Sequence, residues 1–263
     1  MTTTADLLAL HDEQIRGTVA DRMPHSWRAT WDGPAMRVIT PAQGMVFARE
    51  LDRLSDAALD ALIARTRDFF CARGESVEWK TYGHDRADLT DRLARAGFTP
   101  DPRETVVIGP AADLVDAGTA PEDVTIAATT DPADLRAIAA MESTVWHADW
   151  SWLADDLADR LRTSGDDLVI LTAKAGDQVV SAAWLMVMAG TRFAALWGGS
   201  TLAEWRRRGI YRALVAQRAR IAVERGIEYL IVDASDDSRP VLERLGLRPV
   251  TTTTPWIWRP PAG

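Results

Sequence analysis

The spacing of apolar residues changes repeatedly along this 263-residue chain, and each change predicts a new secondary-structure element. Stretches in which apolar residues recur three or four positions apart predict amphipathic helices, at 5–22, 55–73, 86–96, 131–146, 153–162, 210–225 and 239–245. Short alternating or continuous apolar runs predict strands, at 36–39, 45–48, 76–82, 104–108, 124–128, 168–175, 179–189, 192–199, 229–234 and 250–258. Strands and helices mixed in this order indicate an α/β (α+β) fold.

A stretch rich in small residues, proline and acids interrupts this pattern near the middle of the chain. It predicts a linker at 113–123 between a domain at 1–112 and a domain at 124–263. The two halves also share a weak repeat, because LARAGFTP at 93–100 parallels LERLGLRP at 242–249. Each copy follows a helix that ends in Arg-Gly, a strand and a second helix. This shared order favours duplication of one unit, with a chance match as the alternative.

Three consecutive arginines, Arg206–Arg208, stand before Gly209 at the predicted start of a helix. A helix N-terminus favours negative charge by about 0.3–1 kcal/mol per charge, so cations there are locally unfavourable unless an anion is bound. Glycine lets the backbone come close to such an anion, and the free N–H groups of the first turn suit a phosphate. The stretch therefore predicts an anion site. The alternative is a solvated basic patch beside a helix.

The overall charge runs against this local cluster. The chain is 47% hydrophobic and 26% charged, with a formal net charge of −8, so we expect neither nucleic acid nor an anionic membrane as a partner. No leader-like segment at the start and no run of 18 apolar residues are present, which predicts a cytoplasmic protein. Cys71 is the only cysteine, which excludes an intramolecular disulfide and a cysteine-based metal site. We expect its thiol to be buried.

The second half of the chain resembles the GNAT N-acetyltransferase superfamily. The hallmark of that family is a pyrophosphate-binding loop of the form Gln/Arg-x-x-Gly-x-Gly/Ala, to which Arg206–Tyr211 corresponds, and Leu245–Leu247 matches its Leu-Gly-Phe ending. The first half looks like a degenerate copy without the arginines or the glycine. The resemblance implies two GNAT-like units, each a mixed, mostly antiparallel twisted sheet flanked by helices. The chain departs from the family at Tyr211, where glycine or alanine is usual, and at Leu242, where many members have a tyrosine that protonates the leaving thiolate.

The resemblance also implies an activity and a donor. The expected function is direct transfer of an acetyl group from acetyl-CoA to a primary amine of a small molecule or peptide, without a metal. The alternative, favoured by Leu242, is a CoA-binding or sensor protein with little turnover. Exposed strand edges and eleven tryptophans allow a homodimer. The residues expected to hold the donor are Gly199, Ser200, Thr201, Arg207, Arg208, Gly209, Ile210, Tyr211 and Arg212.

Candidate residues for catalysis and acceptor binding lie outside this loop. A protonated amine must lose a proton, and Asp233, near the end of a predicted strand, is the expected base; the alternative is an acid that orders the following loop. Ser235 is expected to hold a water or to contact the donor. Glu142, Trp146 and Trp150 fall in the two helices that wall the acceptor pocket in the GNAT fold. The alternative for these tryptophans is a packing seam between helices.

Overall fold

The computed structural model describes residues 2–23, 27–40 and 43–261. The described residues form two compact units. The first comprises those of Met1–Val107, Asp233–Pro240 and Pro249–Gly263, and the second comprises Ile108–Val232 and Val241–Arg248. The division at 113–123 stays a prediction, since compact units defined by contacts need not coincide with segments that fold as domains.

Seven α-helices and twelve strands are formed by the described residues. The helices are α1 (Thr4–His11), α2 (Asp56–Cys71), α3 (Leu89–Arg95), α4 (Pro132–Trp146), α5 (Leu153–Ser164), α6 (Ile210–Glu224) and α7 (Arg239–Arg244). The strands are β1 (Arg28–Asp32), β2 (Ala35–Ile39), β3 (Gly44–Ala48), β4 (Val77–Tyr82), β5 (Thr99–Pro100), β6 (Glu104–Pro110), β7 (Thr125–Ala128), β8 (Leu168–Ala175), β9 (Gln178–Val187), β10 (Phe193–Thr201), β11 (Tyr229–Ala234) and β12 (Arg248–Trp258).

The first unit is built on strands in the order β1-β2-β3-β4-β12-β6, with β5 beside β12. The pairs β1–β2, β2–β3 and β4–β12 are antiparallel, and β3–β4 is parallel. Ser55 begins α2 by accepting a hydrogen bond from the Ala58 amide, which satisfies one of the free donors of the first turn. The apolar stripe of α2 then packs on alternate residues of β4 in a core that contains Leu59, Leu62, Ile63, Phe70, Val77 and Trp79.

The second unit carries strands in the order β11-β10-β9-β8-β7. Its pairs are antiparallel except for β10–β11, which is parallel. Helices α4, α5 and α6 bury their apolar stripes against this sheet, in a core that includes Ile138, Leu157, Ile170, Val180, Ala183 and Leu214. Each unit thus has a mixed, mostly antiparallel sheet flanked by helices, and the predicted fold class is confirmed.

Three local expectations were wrong. The helix expected over 5–22 ends at His11 and continues as a π turn, Asp12–Arg16, and a 3₁₀ turn, Ala20–Arg22. Arg16 in the π turn bonds to the Ala48 carbonyl and the Asp85 carboxylate, and these long-range contacts outweigh local helix propensity.

The other two concern β1 and Cys71. Strand β1 is not among the strands predicted above, and it forms a hairpin with β2 in which Gly33 and Pro34 are the turn. Cys71 is exposed, not buried, because it lies beside the buried stripe of α2, which ends at Phe70.

No helix in the described ranges combines the length and the apolar character needed to cross a membrane.

Candidate active site

The start of α6 is shaped by two residues with left-handed backbone. Arg207 has φ of 63° and Gly209 has φ of 89°. Arginine in this region costs about 1–2 kcal/mol, so the turn is held by its surroundings. Gly209 is the N-cap, no side chain caps the helix, and the first turn contains no acidic residue. The exposed N–H groups and the positive end of the helix dipole therefore face outward without a partner from the protein.

The arginines around this turn have different surroundings. Arg206 donates through Nε to the Thr201 carbonyl at 3.0 Å, and Arg212 donates through Nε to the Ala117 carbonyl at 2.9 Å. Arg208 donates through Nη2 to both Asp123 oxygens at 2.9 Å, and its guanidinium lies 4.5 Å from the centre of the Trp205 ring. Arg207 has no such hydrogen bond or ion pair among the described residues, which leaves its charge available to a ligand.

The segment expected as a linker packs against this turn. Gly118 lies so close to α6 that an added Cβ would be 2.8 Å from the Cβ of Arg212. Close approach of the two backbones therefore requires glycine at this position. An open groove results, lined by Asp116, Ala117, Gly118, Thr119, Gly209, Arg212 and Arg220. Two arginines and one carboxylate give this groove a net positive charge beside the helix N-terminus.

Strand β10 separates from its parallel neighbour about a third of the way along its length. The paired residues of β10 and β11 end at Ala195 and Ile231, although β10 continues to Thr201. On the other side, the pairing with β9 shifts between Gly198 and Ser200, which marks a bulge. The main chain of β10 beyond Ala195 thus lies next to an opening in the sheet of the second unit. We call the stretch Trp197–Thr201 the β10 ribbon.

Side chains of the second unit contact each of the four ribbon residues from Gly198 to Thr201. An added Cβ on Gly198 would be 2.7 Å from the Trp184 ring, and one on Gly199 would be 2.8 Å from Cε2 of Tyr211. Ser181 donates from Oγ to the Ser200 carbonyl at 2.6 Å and lies 2.9 Å from the Thr201 hydroxyl. Gly198 and Gly199 have φ of 66° and 99°, a conformation that favours glycine. Sequence reasoning missed Ser181 and Trp184, whose roles depend on register.

Tyr211 has a specific place in this arrangement. Its half-buried ring fills the space beside Gly199, and burial raises the pKa of its phenol, an effect that the charge of Arg218 opposes. Tyr211, which departs from the family pattern in the loop, thus packs against Gly199 of the neighbouring strand, where a larger residue would collide with its ring. An alanine or glycine at 211 would leave this space empty.

Glu142 on α4 is buried within the second unit, with 2% of its surface exposed. Its Oε2 accepts a hydrogen bond from Trp146 Nε1 at 2.8 Å, whereas Oε1 has no hydrogen-bond partner among the described residues. Burial raises the pKa of this carboxyl group, and the neighbouring Ser200 and Trp146 side chains oppose the rise. The Ser200 hydroxyl lies near enough to the Glu142 carboxylate to stabilise its negative charge. Glu142 and the β10 ribbon are therefore neighbours.

Three tryptophans form a stacked row beside Glu142. The ring centres of Trp146 and Trp150 are 6.3 Å apart, and those of Trp150 and Trp152 are 5.2 Å apart. Trp150 packs against the core of the second unit, but Trp146 and Trp152 are 58% and 52% exposed. The row is therefore a packing seam on its inner side and an open aromatic surface on its outer side.

Asp233 and Ser235 belong to the first unit, whereas the other predicted site residues belong to the second. Asp233 forms an ion pair with Lys80 of β4. Burial alone would lower the pKa of Lys80. The negative charge of Asp233 and the effects of other neighbours raise it by more, so the pKa of Lys80 lies above its usual range. The hydroxyls of Ser235 and Ser238 are 3.3 Å apart. Asp233 thus already has a cationic partner within its own unit.

Comparisons with known proteins find a family model and solved structures that this chain resembles. Residues 133–247 match the model of the acetyltransferase (GNAT) family. Among solved structures, the chain resembles a GCN5-related N-acetyltransferase from Kribbella flavida, with a TM-score of 0.73, 19% identity and coverage of 100% of this chain and 97% of that one. Among proteins of curated function, the comparison finds no match.

Two further structures resemble the whole chain. One is a tandem GNAT protein from the clavulanic acid biosynthesis pathway, with a TM-score of 0.67, 13% identity and coverage of 98% and 94%. The other is a GCN5-related N-acetyltransferase from Sphaerobacter thermophilus, with a TM-score of 0.62, 15% identity and coverage of 98% and 92%. At these identities the likeness concerns the fold. The predicted resemblance, including the GNAT-like first half, is confirmed.

Proposed function

With a GNAT acetyltransferase domain at residues 133–247, we propose that this protein transfers an acetyl group from acetyl-CoA directly to a primary amine of a small molecule or peptide. The observation that carries the proposal is the start of α6. The helix N-terminus has neither a side-chain cap nor an acidic residue in its first turn, and Arg207 before it has no ion-pair partner in the described part of the chain. Such a helix start suits a phosphorylated ligand. A structural role alone would favour an acidic or hydroxyl cap at this position.

The chain has hydrogen-bond donors for both the pyrophosphate and the pantetheine of CoA. Arg207, Arg208 and Arg212 would supply charge to the pyrophosphate, and the main chain at 209–212 would supply N–H groups. Gly199, Ser200 and Thr201 would hydrogen-bond to the pantetheine through the open edge of the β10 ribbon. Bound acetyl-CoA would supply an activated thioester, and the protein would hold it rigidly beside the acceptor.

The acceptor amine must be bound and deprotonated. Trp146 and Trp150 would cover its apolar body, and Glu142 would face its ammonium group with the free Oε1. Asp233 remains a proposed base, with Ser235 as a water-holding partner, but its ion pair with Lys80 must open before it accepts a proton. Glu142 needs no such rearrangement. A carboxyl group with a raised pKa is also better matched to proton transfer near neutral pH.

One observation favours a second function, binding of CoA with little turnover. Leu242 is completely buried where many family members have a tyrosine, so this position offers no proton to a leaving thiolate. In that case the protein would report or sequester acetyl-CoA. Release of free thiol in the presence of an amine separates the two functions.

The test compares the wild type with Arg207→Glu. Calorimetry measures acetyl-CoA binding, and a thiol assay measures CoA release over a panel of aliphatic, aromatic and peptide amines. We expect Arg207→Glu to weaken binding roughly ten- to hundredfold, the range for a lost hydrogen bond to a charged group. The control is Arg53→Glu, which makes the same charge change at an exposed ion pair in the first unit. Binding without thiol release for any amine would favour the second function, and absence of acetyl-CoA binding by the wild type would exclude both.

A further inference from the structure

Arg218 is a buried guanidinium that no part of the predicted site includes. It lies on α6 with 1% of its surface exposed. It is one helical turn after Leu214 and two turns after Tyr211, on the face that meets the sheet. Its Nε donates to the Leu214 carbonyl at 3.1 Å. Its Nη1 donates to the carbonyl of Trp197 at 3.1 Å and to that of Trp184 at 3.4 Å. No carboxylate pairs with it in the described part of the chain.

Stability alone does not explain this side chain. Burial lowers the pKa of Arg218 to about 10, and the charge of the Tyr211 phenol opposes this effect. The folded state therefore disfavours the charge that the residue carries. Buried charged groups are often replaced by apolar residues of similar volume with no loss of stability. A buried arginine bound only to carbonyl groups calls for a reason besides packing.

One of the carbonyls that it holds, that of Trp197, lies at one end of the β10 ribbon. Gly198 lies against the Trp184 ring and Gly199 lies against the Tyr211 ring, so Arg218 completes a set of contacts on three consecutive ribbon residues. A peptide group is planar, and fixing the Trp197 oxygen therefore fixes the direction of the Gly198 N–H. The positive charge of Arg218, hydrogen-bonded to that oxygen, also polarises the peptide and makes the Gly198 N–H a stronger donor.

This end of the ribbon is the one farther from the helix start. The Thr201 carbonyl accepts a hydrogen bond from Arg206, so the Thr201 end adjoins the arginine turn. At about 3.3 Å per residue, Trp197 lies roughly 13 Å along the strand from that end. CoA carries its thioester at the opposite end of the pantetheine arm from its pyrophosphate. A ligand anchored at the arginine turn would therefore present its thioester toward Trp197 and Gly198.

We propose that Arg218 is a positioning residue, which orients and polarises the Trp197–Gly198 peptide so that the β10 ribbon recognises the acyl thioester. The proposal rests on the proposed binding of acetyl-CoA to this unit. Arg218 does not touch the ligand. Its effect on ligand affinity is confined to the acyl end of the ligand. Loss of Arg218 should therefore weaken the binding of acetyl-CoA but not that of CoA.

The test measures dissociation constants for acetyl-CoA and for CoA by calorimetry on the wild type, Arg218→Met and Arg218→Lys. We expect Arg218→Met to lose roughly three- to tenfold in affinity for acetyl-CoA, the scale of one neutral hydrogen bond, while its affinity for CoA stays within twofold. Arg218→Lys keeps the positive charge but loses the planar guanidinium with its several N–H donors, and we expect an intermediate loss of affinity for acetyl-CoA. The control is Arg225→Met, the same change at the exposed end of α6, which should leave both constants unchanged.

A thermal melt of each variant separates positioning from a structural role. The proposal predicts that Arg218→Met melts at or above the wild-type temperature although its preference for acetyl-CoA falls. Parallel weakening of acetyl-CoA and CoA, or an unchanged ratio in both Arg218 variants, would overturn it. Failure of the wild type to bind either ligand would instead overturn the proposed function. If Arg218→Met does not fold, the ratio measured on Arg218→Lys decides.

Discussion

A single methyl group added at Gly199 tests how tightly the β10 ribbon is held. Alanine at this position, where φ is 99°, would have a strained backbone that costs about 1–2 kcal/mol. Its Cβ would also lie 2.8 Å from Cε2 of Tyr211, and such overpacking costs about 1–3 kcal/mol. We therefore expect Gly199→Ala to lower the free energy of unfolding by roughly 2–5 kcal/mol, measured by urea unfolding with tryptophan fluorescence.

A second mutation separates the two contributions. In a Tyr211→Ala background the ring is gone, so Gly199→Ala should cost only the backbone strain, about 1–2 kcal/mol. Gly176→Ala is the matched control, because Gly176 also has positive φ, of 56°, but nothing lies within 4 Å of its added Cβ. An equal cost of Gly199→Ala with and without the Tyr211 ring would refute the argument that the ring supports the ribbon.

Two further predictions use pH. Since burial raises the pKa of Glu142, its ionisation costs folding free energy above its ordinary pKa. Glu142→Gln should therefore raise the free energy of unfolding at pH 7 and have no effect below about pH 4 in urea titrations; equal gains at both values would contradict this. Lys80→Met should cost about 2 kcal/mol at pH 7, because it leaves Asp233 unpaired. Because the pair raises the pKa of Lys80 above its usual range, that cost should shrink above about pH 10.5, where an unpaired lysine loses its charge, and persistence of the full cost there would contradict the ion pair.

The loop at the start of α6 was accessible from sequence because its residues are contiguous. Arg206–Gly209 and the apolar stripe that follows fix both the turn and the helix start within a few residues, and only local sterics and the helix dipole are needed to interpret them. Arg218 was missed because an arginine within a helix usually points to solvent. A signal was present, since Arg218 continues the spacing of Tyr211 and Leu214 on the buried face.

The surroundings of Asp233 depend on residues far away in the chain. Lys80 is separated from it by 153 positions, and no local pattern indicates that β4 and the end of β11 come together within the first unit. The sequence places Asp233 correctly on a strand but says nothing about its partner. Long-range pairing of this kind is set by strand order and register, which periodicity leaves undetermined.

The two candidate carboxylates therefore differ in the way that matters for chemistry. Asp233 already forms an ion pair with Lys80. Glu142 is buried, has one oxygen with no hydrogen-bond partner among the residues that the structure describes, and lies beside the ribbon residue Ser200. A buried group left unsatisfied costs about 1–3 kcal/mol, and an ammonium group that binds against Oε1 would remove that cost. We therefore propose that Glu142, in preference to Asp233, binds the amine of the acceptor and takes its proton.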